Sequence, residues 1–285
     1  ISNGSNTMDF TYHPDLNRLM TADGISFTYD EEANMTSCSA QGTTLSTTYN
    51  PGGRIETVTY DGFTVTYTYD PGTGALDEVT DDLTGTVVGF QYDSDMRLTG
   101  ITRSNGVNTT YTLDDASRLT RIQHGSHADL QFTLDHAGQI ESADMTVPLE
   151  PVGLMTPGLE ESTFDAACQV SSTGYVYDDL GQRTDDPERS YIYDEWGRLV
   201  DIDGVVLSYN GLGEMVTRTD GPQTVIYHRN YAMGSQPVLS LQDGPSGPWL
   251  RLFVYTSGGR LLYTIEPGMP DTVLFYHFDQ VGSTL

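Results

Sequence analysis

The chain of 285 residues contains no lysine; its 13 basic residues are all arginine, set against 40 aspartates and glutamates for a formal net charge of −27. So acidic a surface repels phosphate backbones, which argues against nucleic acid as a partner, and it suits a salty or extracellular medium. Cysteine is scarce. Cys38 and Cys168 stand far apart and in no CxxC arrangement, so neither a disulfide framework nor a metal ribbon is expected, and both read as small apolar fillers. No apolar run approaches the ~18 residues of a membrane span and no basic-then-apolar leader opens the chain, so no membrane insertion is expected. Strong helix formers are thin. There is no phosphate-cradling loop before a helix, no Gly-x-Ser-x-Gly elbow and no Cys–His pair placed for nucleophilic work.

What the chain has in quantity is glycine, tyrosine and threonine, which favour strands and turns. These residues recur in one unit. An aromatic or leucine precedes an aspartate or its replacement at Tyr12, Tyr29, Tyr49, Tyr69, Tyr92, Leu113, Leu134, Phe164, Tyr177, Tyr193, Tyr209, Tyr255 and Tyr276, a period of the kind that marks a repeat architecture. The stretch Phe63, Thr64, Val65, Thr66, Tyr67, Thr68, Tyr69 alternates apolar with threonine, the pattern of a strand with one buried face. Asp70-Pro71-Gly72, Asp93-Ser94-Asp95 and Asp194-Glu195-Trp196-Gly197 follow as turn formers. After the turn, Arg97-Leu98 with Ile101, Arg118-Leu119 with Ile122 and Arg198-Leu199 with Ile202 begin a return strand. The three-residue apolar spacing breaks strict alternation and predicts a β-bulge. Each unit is thus a β-hairpin of about 20 residues that must stack on its neighbours to bury a face. The proline-bearing stretch around Pro148, Pro151 and Pro157 reads as a long connection, and the whole chain as one domain over residues 1–285, a fragment of a larger protein.

The residues with chemistry to offer are mostly repeated, which favours structure over catalysis. The carboxylates Asp70, Asp93, Asp114, Asp135, Asp178 and Asp194 are too many and too equivalent for an acid–base pair and read as turn caps. Arg54, Arg97, Arg118, Arg198 and Arg260 are placed to pair with those aspartates or lie across tyrosine rings, with a substrate clamp as the rival reading. Tyrosines at fixed register, such as Tyr67, Tyr69, Tyr191 and Tyr193, read as a ring-on-ring ladder, with a glycan-stacking surface that includes Trp196 as the rival. His124, His127 and His136 are the one histidine cluster and fall around a polar hairpin tip, poor ground for zinc. Asp81-Asp82 and Asp201-Ile202-Asp203-Gly204 offer carboxylates to calcium without the EF-hand pattern. No cofactor is expected.

The segment YDEWGRLVDI at 193–202, with Tyr193, Asp194, Gly197 and Arg198, resembles the YD repeat of the RHS family. YDDLGQR with Tyr177, Asp178 and Gly181, YTSGGRL with Tyr255, Gly259 and Arg260, YNGLGEM at 209–215 and TYNPGGRI at 48–55 keep the frame. Tyr69-Asp70, Tyr92-Asp93-Arg97, Asp114-Arg118 and Asp135 are further copies. YHFDQVGSTL, with Tyr276, Asp279 and Gly282, resembles the segment that leads into the family's RHS-associated core. The resemblance implies an all-β ribbon of tandem hairpins spiralling into a curved or cocoon-like shell. In bacterial toxins such a shell encloses a toxin, and in teneurins a related barrel is an adhesion module. The expectation is a non-enzymatic structural shell of a secreted or cell-surface bacterial protein that encapsulates or displays a C-terminal cargo such as a toxin. Its partners would be the rest of its own polypeptide or that cargo. The alternative is an extracellular adhesion or self-assembling fibre module, with glycan contact.

Overall fold

A computed structural model describes residues 2–3, 6–147 and 162–284; most of the proline-bearing stretch, 148–161, lies outside them. Among the described residues there is no helix. A short ribbon pairs β1 (Ser2–Asn3) with β2 (Asn6–Thr7). The first large sheet has 14 strands. They are β3 (Phe10–Tyr12), β4 (Leu19–Ala22), β5 (Ile25–Tyr29), β6 (Met35–Ala40), β7 (Thr43–Tyr49), β8 (Ile55–Tyr60), β9 (Phe63–Tyr69), β10 (Leu76–Asp81), β11 (Val87–Tyr92), β12 (Leu98–Arg103), β13 (Thr109–Leu113), β14 (Leu119–His124), β15 (Ala128–Leu134) and β16 (Ile140–Thr146). An isolated hairpin joins β17 (Val176–Tyr177) to β18 (Arg183–Asp185). The second large sheet has 9 strands: β19 (Tyr191–Tyr193), β20 (Leu199–Ile202), β21 (Val205–Tyr209), β22 (Met215–Asp220), β23 (Gln223–Arg229), β24 (Val238–Asp243), β25 (Trp249–Tyr255), β26 (Leu261–Glu266) and β27 (Thr272–Phe275). In both large sheets every strand pairs antiparallel with its neighbours in sequence, so each is an uninterrupted meander.

The predicted bulge is present and has a fixed place. Tyr92 pairs with Leu98 while Gln91 pairs with Gly100, leaving Thr99 as the extra residue. Leu113 pairs with Leu119 while Thr112 pairs with Arg121, leaving Thr120. The same slip follows the turns after Tyr12, Tyr29, Tyr49, Tyr69, Tyr193, Tyr209 and Tyr255. One inserted residue flips the alternation, so Leu98 and Ile101, three apart, lie on the same face, opposite Tyr92 and Phe90. At the opposite end of each hairpin the chain reverses in tight turns. Asp23-Gly24, Gln41-Gly42, Asp61-Gly62 and Asp203-Gly204 each place both central residues at positive φ, the backbone whose twist matches that of the flanking strands.

The inward faces of the two sheets bury one another. A single apolar cluster draws Ile25, Phe27, Leu45, Val58, Val65, Tyr67, Val79, Val88 and Phe90 from the first sheet and Leu252, Val254, Tyr263 and Ile265 from the second. The sheets run in the same order along each other. Gly211 lies against Ala22 and Asp23, Phe27 meets Tyr231, Tyr60 meets Trp249, the Tyr263 hydroxyl reaches Asp81, and His124 meets His277. These contacts span β4 to β14 on one side but only the β21–β22 turn to the end of β27 on the other. At ~4.8 Å per strand step the two paths differ in length, so the first sheet must bow around the second. The result is an all-β, curved wall of tandem hairpins. Along this stretch the inward residues are large and apolar, and the facing sheet removes them from water.

Candidate functional site

The repeated motif converges on one rim of the wall, where its turns line up. Asp93 shows the geometry. Its Oδ1 accepts the backbone N–H groups of Asp95 and Arg97, both at 3.0 Å, and its Oδ2 accepts Arg97 Nε at 2.6 Å. Its own N–H donates to the Arg97 carbonyl at 3.0 Å. One carboxylate thereby closes the whole loop. Asp114 does the same with Ala116 and Arg118, and Asp194 with Trp196 and Arg198. Asp135, Asp178 and Asp279 accept the same two backbone N–H groups. Where the aspartate is missing, Asn50, Asn210 and the Thr256 hydroxyl fill the position, and His13 Nδ1 accepts two nearby N–H groups. The Arg97 and Arg118 N–H groups hold the Asp93 and Asp114 carboxyls below the ordinary range.

Three residues after the capping position the backbone turns left-handed. Gly181, Gly197, Gly259 and Gly282 take φ between 75 and 89° there, the conformation glycine adopts without steric cost. Met96, Ser117 and Cys168 occupy the same corner at φ 64, 64 and 61°. Cys168 is accordingly exposed at a turn corner, not the apolar filler expected from its scarcity; Cys38 is buried in the core.

Arginine and tyrosine tie each turn to the next. Arg97 Nη1 donates to Ser117 Oγ at 2.8 Å and Arg118 Nη1 to the Asp135 carbonyl at 2.9 Å, so each guanidinium holds its own aspartate and the following turn. Arg198 lies over the Tyr209 ring while bound to Asp194. Arg54 stacks on Tyr69 and Arg260 on Phe278, and among the described residues neither pairs with a carboxylate, since Asn50 and Thr256 replace the aspartate in their turns. Gln169 takes the arginine's place by donating to the Gly181 carbonyl. The tyrosines do not form the expected ring-on-ring ladder: among the described residues no ring pair joins consecutive repeat tyrosines. Instead the hydroxyls of Tyr29, Tyr49, Tyr69, Tyr209 and Tyr255 donate to the carbonyls of Leu19, Met35, Ile55, Leu199 and Val238, in each case across to the preceding hairpin, at 2.7–2.9 Å. The ring then serves as a spacer, and its hydroxyl is the tether.

The histidine cluster is rearranged. His127 and His136 are exposed, whereas His124 is buried at the end of β14 and joined by His277 from the last described segment. Among the described residues no group of three metal-ligating side chains is gathered, and Asp201 and Asp203 are spent on the Gly204 and Ser190 N–H groups. Asp81 is not exposed to a cation but buried, accepting Leu83 N, Thr84 N, the Thr84 hydroxyl and the Tyr263 hydroxyl. Sequence reasoning missed that latch, His277 and the tight-turn glycines; of these only the Asp-Gly pairs carried a local signal.

Asp70, Asp77 and Asp93 line one open pocket of about 250 Å³ on the rim, where Asp70 and Asp93 are held by the N–H groups of the turns they close. What the arrangement can do chemically is hold a long ribbon in register. The chain is similar to the toxin assemblies TcdB2–TccC3–Cdc42 (13% identity, TM-score 0.40, 96% of this chain and 15% of that one) and a Photorhabdus luminescens Tc holotoxin pore (13% identity, TM-score 0.34, 98% and 18%). It is also similar to a porin-like protein of Bacteroides uniformis (12% identity, TM-score 0.16, 92% and 91%). The chain thus spans less than a fifth of the toxin chains it matches, and no curated protein matches it. The family model "Teneurin YD-shell" matches residues 3–150, just over half the length, and with the hairpins, turns and tethers that run through those residues it places the chain in the teneurin YD-shell family.

Proposed function

We propose that the chain is a non-catalytic wall segment of a larger secreted bacterial YD-shell protein, folding as one unit and walling off a cargo carried by the same polypeptide. The observation that carries this is the direction of coupling. The repeat tyrosine tethers and arginine bridges run along the ribbon to an adjacent hairpin. The apolar cluster that spans both sheets supports a single folding unit. The test is limited proteolysis of the whole gene product beside its C-terminal region expressed alone. A shell predicts that the C-terminal region survives in the whole protein at protease concentrations that digest it alone. Equal digestion in both settings would leave the wall without a cargo and favour an adhesive surface.

A further inference from the structure

In a molecule of such acidity, Arg103, Arg260 and two histidines gather beside the tail with no carboxylate paired to them among the described residues. His277, just after β27, meets His124 at the end of β14, with the two Nδ1 atoms 3.1 Å apart and the rings crossed edge-on. His124 Nε2 lies 3.1 Å from the Phe278 carbonyl, and His124 Nδ1 lies 2.9 Å from the Thr109 hydroxyl. That hydroxyl also accepts Arg103 Nη1 at 2.7 Å. One proton assignment that satisfies all of these contacts keeps both rings neutral. Nε2–H of His124 donates to the Phe278 carbonyl, and its Nδ1 lone pair accepts from Thr109 and from Nδ1–H of His277. Every charged or titratable group facing the pair is cationic or potentially so: Arg103 from β12, His127 from the β14–β15 turn and Arg260 from the β25–β26 turn, the last stacked on Phe278. The nearest acidic residue in the tail, Asp279, is spent on the Val281 and Ser283 N–H groups of its own turn.

We propose that His124 and His277 form an acid-labile clasp that holds residues 276–284 against the first sheet and lets them go when either ring takes up a proton. A proton on either ring would add a third positive charge beside Arg103 and Arg260, and on His124 it would also put a donor where Nδ1 accepts. Burial, with Arg103, His124 and His127 adding to it, pulls His277 down to about 4. Burial likewise lowers His124. The released segment binds protons near the ordinary histidine value of about 6.5. The His277 contribution to the closed tail is therefore fully present above about pH 6.5, weakens as pH falls through that value, and changes no further below about 4.

Hydrogen exchange of the full chain, corrected for the intrinsic pH dependence of exchange, tests this. The Tyr276 N–H, which donates to the Leu262 carbonyl, and the amides of Val281 and Ser283 report the tail; the amides of β8 and β9 report the body. Between pH 7.5 and 5.0 tail protection is expected to fall by at least about tenfold, the equivalent of one pK unit, with β8 and β9 unchanged. Replacing both rings, His124→Phe together with His277→Phe, is expected to abolish the pH response, and the exposed-site control His136→Gln to keep it. Tail protection that is independent of pH, or a response that survives the double substitution, would overturn the clasp. Because the variant could perturb packing, imidazole titration by NMR in the unaltered chain gives a second reading: a His277 that titrates at its ordinary value rules the clasp out.

Discussion

Strands β5–β12 and the stretch from β16 to β19 are written in the same repeat grammar and differ in what lies opposite them. In the first, inward positions such as Ile25, Leu45, Val58, Val79 and Val88 are buried against the second sheet. In the second, β16 is exposed at every residue, and Phe164, Val176, Leu180 and Ile192 remain open to solvent. Yet Asp165, Asp178 and Asp194 close their turns in the second region with the same two backbone hydrogen bonds that Asp93 and Asp114 make in the first. The motif, then, specifies a hairpin; burial by a facing sheet makes a wall of it. A turn is a local structure that its own few residues can stabilise, whereas a core needs partners far away in sequence.

The sharpest way to break this comparison is to truncate an inward side chain in each region. Leu45→Ala, at a position 3% exposed, is expected to cost about 2–5 kcal/mol in urea denaturation. Phe164→Ala, at the register position of the repeat tyrosines but 63% exposed, should stay within about 0.5 kcal/mol. Similar losses at both sites would mean that the second region is buried against something as well. Next in size is the latch between the sheets. Tyr263→Phe removes one of the donors to the buried Asp81 carboxylate, and leaving that oxygen short of a partner is expected to cost about 1–3 kcal/mol. A neutral outcome would show that water replaces the hydroxyl and that the sheets are not latched there.

These positions also separate what a sequence reader can see from what stays hidden. The caps, the left-handed corners and the bulge are encoded within a few residues: Asp194 and Gly197 announce the turn, and the three-residue spacing from Leu98 to Ile101 announces the extra residue Thr99. That tyrosine would reach a neighbouring backbone carbonyl instead of a neighbouring ring was not legible, because the choice depends on the lateral offset that the bulge imposes between hairpins. The meeting of Asp81 with Tyr263, or of His124 with His277, joins residues more than 150 positions apart. Periodicity says nothing about which ribbon faces which. Cys168 misled for a related reason: its side chain type favours burial, but its slot in the turn, fixed by Asp165, points outward.

If the turns are locally stabilised, their loss should be alike in both regions. Asp194→Ala is expected to cost about 1 kcal/mol, the usual effect of removing a cap whose acceptor serves backbone N–H groups. Asp93→Ala in the better-packed region should shift the denaturation midpoint by an indistinguishable amount. A much larger shift for Asp93 would mean that its turn, through Arg97 and Ser117, carries load from the neighbouring hairpin as well as its own.

Acid should separate the rim from the tail, and on the rim it has the smallest effect of the series. The Asp93 and Asp114 carboxyls are held below their ordinary range, by the Arg97 and Arg118 N–H groups first and by the guanidinium groups after them. A depressed carboxyl contributes stability that is fully present above its unfolded value of about 3.9 and is lost only as pH falls through the lower folded one. Both carboxyls are solvent-accessible, so screening keeps the contribution small. The histidine clasp has the opposite dependence, weakening from about pH 6.5 downward. At pH 5 the amides of Arg97 and Arg118, which donate to those carboxyls, should therefore keep their protection while that of Tyr276 has fallen. Rim amides that open together with the tail at pH 5 would show that the turns do not stand on their own residues, and the contrast between a local turn and a nonlocal core would have to be redrawn.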